Sequence, residues 1–410
     1  MGFHARPEMK VLTLILAGGR GERLYPLTRD RAKPAVPFGG IYRIIDFTLT
    51  NCLHSGMKQI LILTQYRSFS LEKHIQLGWN ILCTKLGEFV HVVSAQQRVD
   101  ELWYQGTADA VYQNLYILQQ IRPDLVLILS GDHLYKMDYR PMIAFHLEHG
   151  ADLTVAALPQ PKELSTQLGV LEIDENCRVL SFQEKPQQPK CMPDDPDSIL
   201  ASMGIYVFDT RKMVRRLVED AKSDSQHDFG RDVIPRMVAS GDRVYSYVFW
   251  DPQTRTPKYW RDVGTIDSFF DAHMDLLGQN PVFDISDPSW PILTYEAPAP
   301  PARILPIGDG VKGKISDSII SNGCTVQASL LVRSVLSPNV VIEEGAEVEE
   351  CILMEGVRIG KRAKLKRVIM DKRASVLANR VLRCDEVSDK GFLTLSKGGV
   401  VVVPADSVVE

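Results

Sequence analysis

Toward the C-terminal end, three segments of the chain stack on one another: GCTVQASLLVRSVLSP, NVVIEEGAEVEECILME and GVRIGKRAKLKRVIMD. In the stack, Val326, Ile342 and Ile359 align at spacings of 16 and 17 residues. Val332, Val348 and Leu365 form a second column, and Val335, Ile352 and Val368 a third. Three apolar positions per coil, roughly six residues apart, fit a triangular parallel β-helix whose coils each bury one small aliphatic residue per side. Val and Ile dominate and no 3.6-residue period persists, which disfavours helices. The competing architecture is an ordinary sandwich of short strands. Only about four to five coils fit, and the final VVVV run is predicted to cap the solenoid. The acidic run EEGAEVEE reads as a solvated face of it.

The preceding part of the chain has a different rhythm. From Val11 to Leu277, short apolar runs alternate with helical patterns. VLTLIL, QILILT, FVHVVS and LVLILS read as strands, and LTVAAL, GVLEI and GIYVF as further ones. TADAVYQNLYILQQI is predicted to be one amphipathic helix. Strands alternating with helices predict an α/β domain with a mostly parallel central sheet. The proline-rich stretch from 278 to 303 reads as a linker that partly packs. The predicted division is 1–277, 278–303 and 304–410.

Composition narrows the function. Of 410 residues, 45% are hydrophobic, enough for full cores, and the net charge of -4 argues against nucleic acid as the main partner. No apolar run reaches membrane-spanning length, and MGFHARPEMK carries neither an apolar signal core nor a myristoylation pattern. The seven cysteines are scattered without a CxxC pair, and His and Cys show no metal-ligand spacing. A cytoplasmic protein with reduced thiols is expected.

The chemistry concentrates in LILAGGRGERLYPLTRDRAKPAVPFGG, Leu14 to Gly40. A buried strand leaves through Gly18, Gly19 and Gly21, and Arg20, Arg23, Arg29, Arg31 and Lys33 follow. A dinucleotide fingerprint fails because Leu24 stands at the third glycine position, and a Walker loop fails because Glu22 follows Gly21. What remains is a backbone cradle for phosphate at the carboxyl end of a strand, where open α/β sheets bind ligands. In LILSGDHLY, Asp132 lies just past another strand, and in YWRDVGT, Asp262 follows two aromatics and an arginine. Taken singly, either acid fits a cap or loop position. Together with the cationic glycine loop they fit metal-assisted transfer at a nucleoside triphosphate.

The motifs GGRGERLYPLTRDRAKPAVPFGG, RIIDF, TQY, WYQGTADAVYQN, SGDHLYKMDY, FQEKP, ASMGIYVF, HDFGRD and YWRDVGT together resemble the ADP-glucose pyrophosphorylase family of bacterial glycogen synthesis. The likeness runs over nearly the whole chain. It implies a Rossmann-like nucleotidyltransferase domain followed by a left-handed parallel β-helix, and adenylyl transfer from ATP to glucose 1-phosphate with Mg²⁺ as cofactor. It implies that Asp132 and Asp262 hold the metal, and that Arg23, Lys33 and the Gly18–Gly21 backbone, Arg20 included, stabilise the triphosphate. Lys185 would hold the sugar phosphate with Tyr104 nearby, while Gly169, Glu184, Ser202 and Asp228 resemble sugar contacts. Gln97, Gly106 and Thr107 resemble the adenine side. Trp103 and Gln65 resemble loop residues that relay activator binding to the ATP site.

The family also implies a homotetramer controlled by small anions such as sugar phosphates, pyruvate, AMP or phosphate. Arg31 and Arg43 match its effector-facing arginines, with Lys397 as a further candidate. Asp30, Ile41 and Leu395 stand where relatives carry cations, which predicts a weak bisphosphate site and favours a monophosphate or pyruvate as activator. Another sugar nucleotidyltransferase, using UTP, dTTP or GTP, remains open. So does a non-catalytic regulatory subunit, although Arg23, Lys33, Asp132, Lys185 and Asp262 are all present. A bifunctional acetyltransferase would need more coils, and a sugar-phosphate sensor would have little use for metal carboxylates.

Overall fold

The computed structural model describes residues 9–19, 21–95, 103–251, 253–254, 256–308, 310–385 and 391–410. Two of the residues singled out above, Arg20 and Gln97, lie outside them.

In chain order the α/β unit runs β1 (Val11–Leu16), the hairpin β2–β3 (Pro37–Phe38, Tyr42–Arg43), α1 (Ile44–His54), β4 (Gln59–Thr64), α2 (Phe69–Gly78), β5 (Phe89–Ser94), α3 (Thr107–Tyr112), α4 (Leu115–Ile121), β6 (Leu125–Ser130), β7 (His133–Tyr135) and α5 (Arg140–Glu148). It continues through β8 (Leu153–Pro161), β9 (Gly169–Ile173), β10 (Val179–Glu184), β11 (Ser198–Asp209), α6 (Thr210–Asp220), α7 (Ile234–Ala239), β12 (Val244–Val248), β13 (Trp260–Asp262) and α8 (Ile266–Met274). The central sheet has the order β10-β9-β11-β6-β1-β4-β5, with β8 joined to β11 and β12 to β8. Its core is the parallel run β6-β1-β4-β5. Strand β11 continues it in the antiparallel sense. These strands are apolar without alternation because both faces are covered. Leu12 and Leu14 join one buried cluster, Ile15 and Ile60 the other.

One predicted element differs. TADAVYQNLYILQQI forms two short helices, α3 and α4, instead of one. The Asn114 side chain donates to Ala110 O at 2.8 Å and to the Tyr104 hydroxyl at 2.9 Å. Taking that carbonyl removes a helical acceptor and breaks the helix at the residue that fixes Tyr104.

Beyond residue 303, three parallel sheets wind into a triangular solenoid, as the stacking predicts. The first column is in register: Val326 pairs with Ile342, and Ile342 with Ile359. The other two columns are corrected by one residue. Val348 pairs with Leu331, not Val332, and Ile352 with Ile369, not Val368. The slips arise at the corners after Ile342 and Ile359, where Glu343–Ala346 and Gly360–Ala363 each have one residue more than the corner after Val326, and Gly345 takes φ +74°. The corners carry left-handed residues, among them Arg333, Glu350 and Arg367 at φ 48–55°. Among the described left-handed residues beyond 303, nine are not glycine and six are, so composition marks only some of the corners. The acidic run is paired coil to coil: Glu347 with Lys364 at 2.8 Å and Glu349 with Lys366 at 2.7 Å. Of the VVVV run, Val401–Val403 adds a last rung and carries the antiparallel strand Thr394–Leu395 at its edge.

The corrected register matters for packing. Ile352, Ile369 and Val402 face outward from the solenoid and join Phe38, Phe47, Phe269 and Phe270 in one buried cluster. The solenoid is therefore seated on the α/β unit through an apolar face. Arg31 reinforces the contact, donating to both oxygens of Asp371 at 2.7 and 2.6 Å, with both side chains buried. The proline-rich stretch is irregular but packed. Trp290 Nε1 donates to Asn51, Leu293 N to Thr50 and Thr294 to Asp46, all along α1. Proline cannot continue a helix or donate to a sheet, so this segment is anchored by side chains of its neighbour. No helix among the described residues is long and apolar enough to cross a membrane.

Candidate active site

The carboxyl ends of β1, β4 and β6 meet at one edge of the sheet. Strand β1 ends where Ala17 N donates to Leu63 O at 2.9 Å, and Gly131 N after β6 donates to Leu16 O at 3.0 Å. Beyond that edge the glycine loop turns through Gly21 at φ +64°, where a Cβ would sit 3.0 Å from Thr28 and 3.2 Å from Lys33. Only glycine suits both the angle and the space.

Lys33, 7% exposed, sits in a 3₁₀ turn and reaches back under this loop. Its ammonium lies 2.7 Å from Asp132 Oδ2 and 2.6 Å from Asp262 Oδ1. The two acids come from distant sequence but share one ribbon. Strand β7 pairs antiparallel with β13, and Asp262 stands opposite His133, the residue after Asp132. Burial disfavours the Lys33 ammonium, yet the two carboxylates outweigh it and hold its pKa above the usual lysine value. Burial likewise opposes ionisation of Asp132. Lys33 and His133 beside it, with hydrogen bonds from Lys33 and Ser130, hold it well below the usual carboxylate range.

From this cluster a cleft of about 770 Å³ runs along the sheet edge. Gly18, Gly19, Gly21, Arg23, Lys33, Gln65, Tyr104, Gly106, Thr107, Asp132, Glu184, Lys185 and Asp228 all line it. At its far end β10 delivers Glu184, and Lys185 follows at φ 52° with its ammonium 3.3 Å from Glu184 Oε1. Burial raises the Glu184 pKa, with Lys185 opposing. Gly169 and Gly230 make room for that carboxylate: a Cβ on either would approach Glu184 Oε2 to 2.9 or 2.5 Å. Asp228 accepts from Gly230 N, Arg231 N and the Thr107 hydroxyl, so it also caps the turn it begins. Gly106 runs against the 226–227 backbone, where a Cβ would lie 2.2 Å from His227 O.

Ser202 stands behind the wall, accepting from Gly204 N at 3.2 Å. Trp103 is 53% exposed and stacks on Tyr66 at 6.4 Å. Gln65 donates to Tyr104 O at 3.2 Å, tying that loop to the cleft.

Similarity to known proteins follows the same arrangement. The nucleotidyl transferase family model matches residues 12–279, and the model described as GlmU-like, C-terminal hexapeptide matches residues 300–403. Glucose-1-phosphate adenylyltransferase 2 of Alkalilimnicola ehrlichii is 46% identical over 98% of this chain and 96% of its own length. Glucose-1-phosphate adenylyltransferase of Rhodopirellula baltica is 44% identical over 100% of this chain and 93% of its own. The second such enzyme of Vibrio cholerae is 46% identical over 96% and 97%. The chain belongs to the glucose-1-phosphate adenylyltransferase family.

The structure adds residues to this family member's sites that sequence reasoning missed. Tyr206 and His133 line the cleft. Lys372 and Glu355 line a second, smaller pocket between the α/β unit and the solenoid, together with Arg43 and His74. Lys372 follows a solenoid rung, and no spacing marks it as facing Arg43. Burial lowers the Lys372 pKa, with Glu355 opposing and Arg43 and Arg31 reinforcing. Burial also lowers that of Arg43, with Asp46 opposing and Arg31 reinforcing. Arg31 donates through Nη2 to both oxygens of Asp371, and its Nη1 is buried with no partner among the described residues. Lys397 is exposed beside the Thr394–Leu395 strand and does not line this pocket.

Proposed function

We propose that this chain transfers the adenylyl group of ATP to α-D-glucose 1-phosphate, forming ADP-glucose and pyrophosphate, the committed step of α-glucan synthesis. The observation that carries the reading is the Lys33 ammonium set between Asp132 and Asp262 at the mouth of the glycine loop. A phosphate oxygen of the sugar phosphate attacks the α-phosphorus of ATP, and the bond to the β-phosphate oxygen breaks. A phosphate monoester has its second pKa near ~6 and is largely dianionic at pH 7. The nucleophile therefore needs no general base, and the chain's work is positioning and charge stabilisation.

Lys185, with Glu184 and Asp228 nearby, holds the sugar phosphate at one end of the cleft. The glycine backbone, Arg23 and Lys33 hold the triphosphate at the other. Gly106 and Thr107 are read as the base side from the family resemblance, with Gln65 tying the loop before them to the cleft. Nucleotidyl transferases use a divalent metal, and Mg²⁺ fits the two hard carboxylate donors Asp132 and Asp262. Bound there, it would supply charge neutralisation to the reacting phosphates.

The pocket between the units suits a small anionic effector. Arg43 and Lys372 line it with Glu355, and Arg31 close by, bonded to Asp371, adds its positive charge to both. An added anion would relieve that repulsion. A catalytic unit of residues 1–277, a linker to 303 and a regulatory and oligomerising solenoid in a homotetramer complete the reading.

The test is pyrophosphate release with glucose 1-phosphate and Mg²⁺, using ATP, UTP, dTTP and GTP in parallel. ATP is expected to lead, and Asp132→Asn to lower its rate by about a hundredfold or more. Preference for UTP or dTTP would overturn the adenylyl assignment. No release with any nucleotide, effectors added, would point to a regulatory subunit.

A further inference from the structure

The mechanism above gives the cleft residue His133 no task. His133 directly follows Asp132 and stands opposite Asp262 across the β7–β13 ribbon. A ring nitrogen of His133 and one oxygen from each aspartate all lie within 4.8 Å of one another. Its Nε2 is 3.6 Å from Asp132 Oδ1. The ring is held by shape. It meets Trp260 edge-on at a centroid distance of 4.9 Å, and a Cβ on Gly204 would come within 3.4 Å of its Cε1. Its Nδ1 is buried with no hydrogen-bond partner among the described residues. The imidazole is thus neither tied into a network elsewhere nor turned to solvent.

We propose that His133 is a third, nitrogen-donating ligand of the divalent metal, and that it sets which metal the site prefers. The inference rests on the reading of Asp132 and Asp262 as the metal-holding acids. The electrostatic case follows from the neighbours. Two carboxylates and the Lys33 ammonium leave one net negative charge for a dication. A neutral imidazole adds a donor without adding charge. Oxygen donors alone suit Mg²⁺, Ca²⁺ and Mn²⁺, and an added imidazole helps a first-row ion such as Mn²⁺ more than it helps Mg²⁺. The expected consequence is a site that takes Mn²⁺ more tightly than one built of the two aspartates alone.

The test uses the full-length, metal-stripped protein with Mn²⁺ and pyrophosphate, a ligand that contains no nitrogen. Electron spin-echo modulation of the bound Mn²⁺ reads nitrogen coordination directly, and titration of the free-ion signal reads affinity. Wild type is expected to show ¹⁴N modulation. His133→Gln is expected to lose it and to bind Mn²⁺ about tenfold more weakly, a shift of the size found when groups around a metal are removed. Mg²⁺ affinity, read by competition, should change less. Absence of ¹⁴N modulation in wild type, or its persistence in His133→Gln, would overturn the proposal. Asp262→Asn separates the two readings. If it abolishes Mn²⁺ binding while His133→Gln leaves modulation and affinity intact, only the role of His133 fails. If Asp262→Asn leaves Mn²⁺ binding unchanged, the metal acids themselves are misassigned.

Discussion

Replacing Lys33 by methionine is expected to lower kcat by roughly a hundred- to a thousandfold, the usual cost of removing one preorganised charge-stabilising group. The same change is expected to tighten divalent-metal binding. Lys33 places its ammonium within 2.7 Å of both metal acids and so offsets the charge a metal would meet there. Without it, two carboxylates face each other uncompensated, and a dication gains what the lysine no longer supplies. Lys33→Arg should not restore the rate. The side chain is buried against Gly21, and a planar fork does not fit a space shaped for a point charge. Steady-state kinetics beside calorimetric metal titration check this. A lowered kcat with unchanged or weaker metal binding would mean that Lys33 acts on the phosphates alone.

The parts of this site that could be read from sequence are those carried by contiguous motifs. Asp132 and the glycines Gly18, Gly19 and Gly21 follow apolar runs that read as buried strands, and they lie just past the strand ends as expected. Meeting across space was harder to read. The β7–β13 ribbon that brings Asp262 to Asp132 is formed by two three-residue strands, too short to leave a period. The solenoid shows the same limit. Its repeat was visible, but two of the three columns slipped by one residue, because the corners after Ile342 and Ile359 each have one residue more than the corner after Val326, and one residue changes the face a side chain takes. That slip hid the outward row of Ile352, Ile369 and Val402, and with it the seat of the solenoid on the α/β unit. Lys372 was missed for the same reason, since its importance lies in facing Arg43 across that seam.

The seam also fixes the second large effect. Arg31→Leu would leave the Asp371 carboxylate, only 2% exposed at its side chain, buried without its cation. Removing one partner of a buried pair costs about 3–5 kcal/mol, mostly as the penalty of the stranded charge. The first thermal transition is then expected to fall by roughly 5–10 °C. Arg31→Leu combined with Asp371→Leu should recover most of that loss, because apolar replacement of a whole buried pair is often neutral. The consequence reaches the chemistry through chain geometry. Arg31 and Lys33 are two residues apart, one gripping the solenoid and the other the metal acids. Loosening the grip frees the turn that presents the lysine, so Arg31→Leu should lower kcat more than KM. The double replacement should regain stability and leave part of the kcat deficit, because an apolar contact does not fix the turn as a two-oxygen clasp does. Scanning calorimetry and kinetics on the three variants decide it. Equal recovery of melting temperature and kcat would show that only stability, and not the placement of Lys33, passes through Arg31.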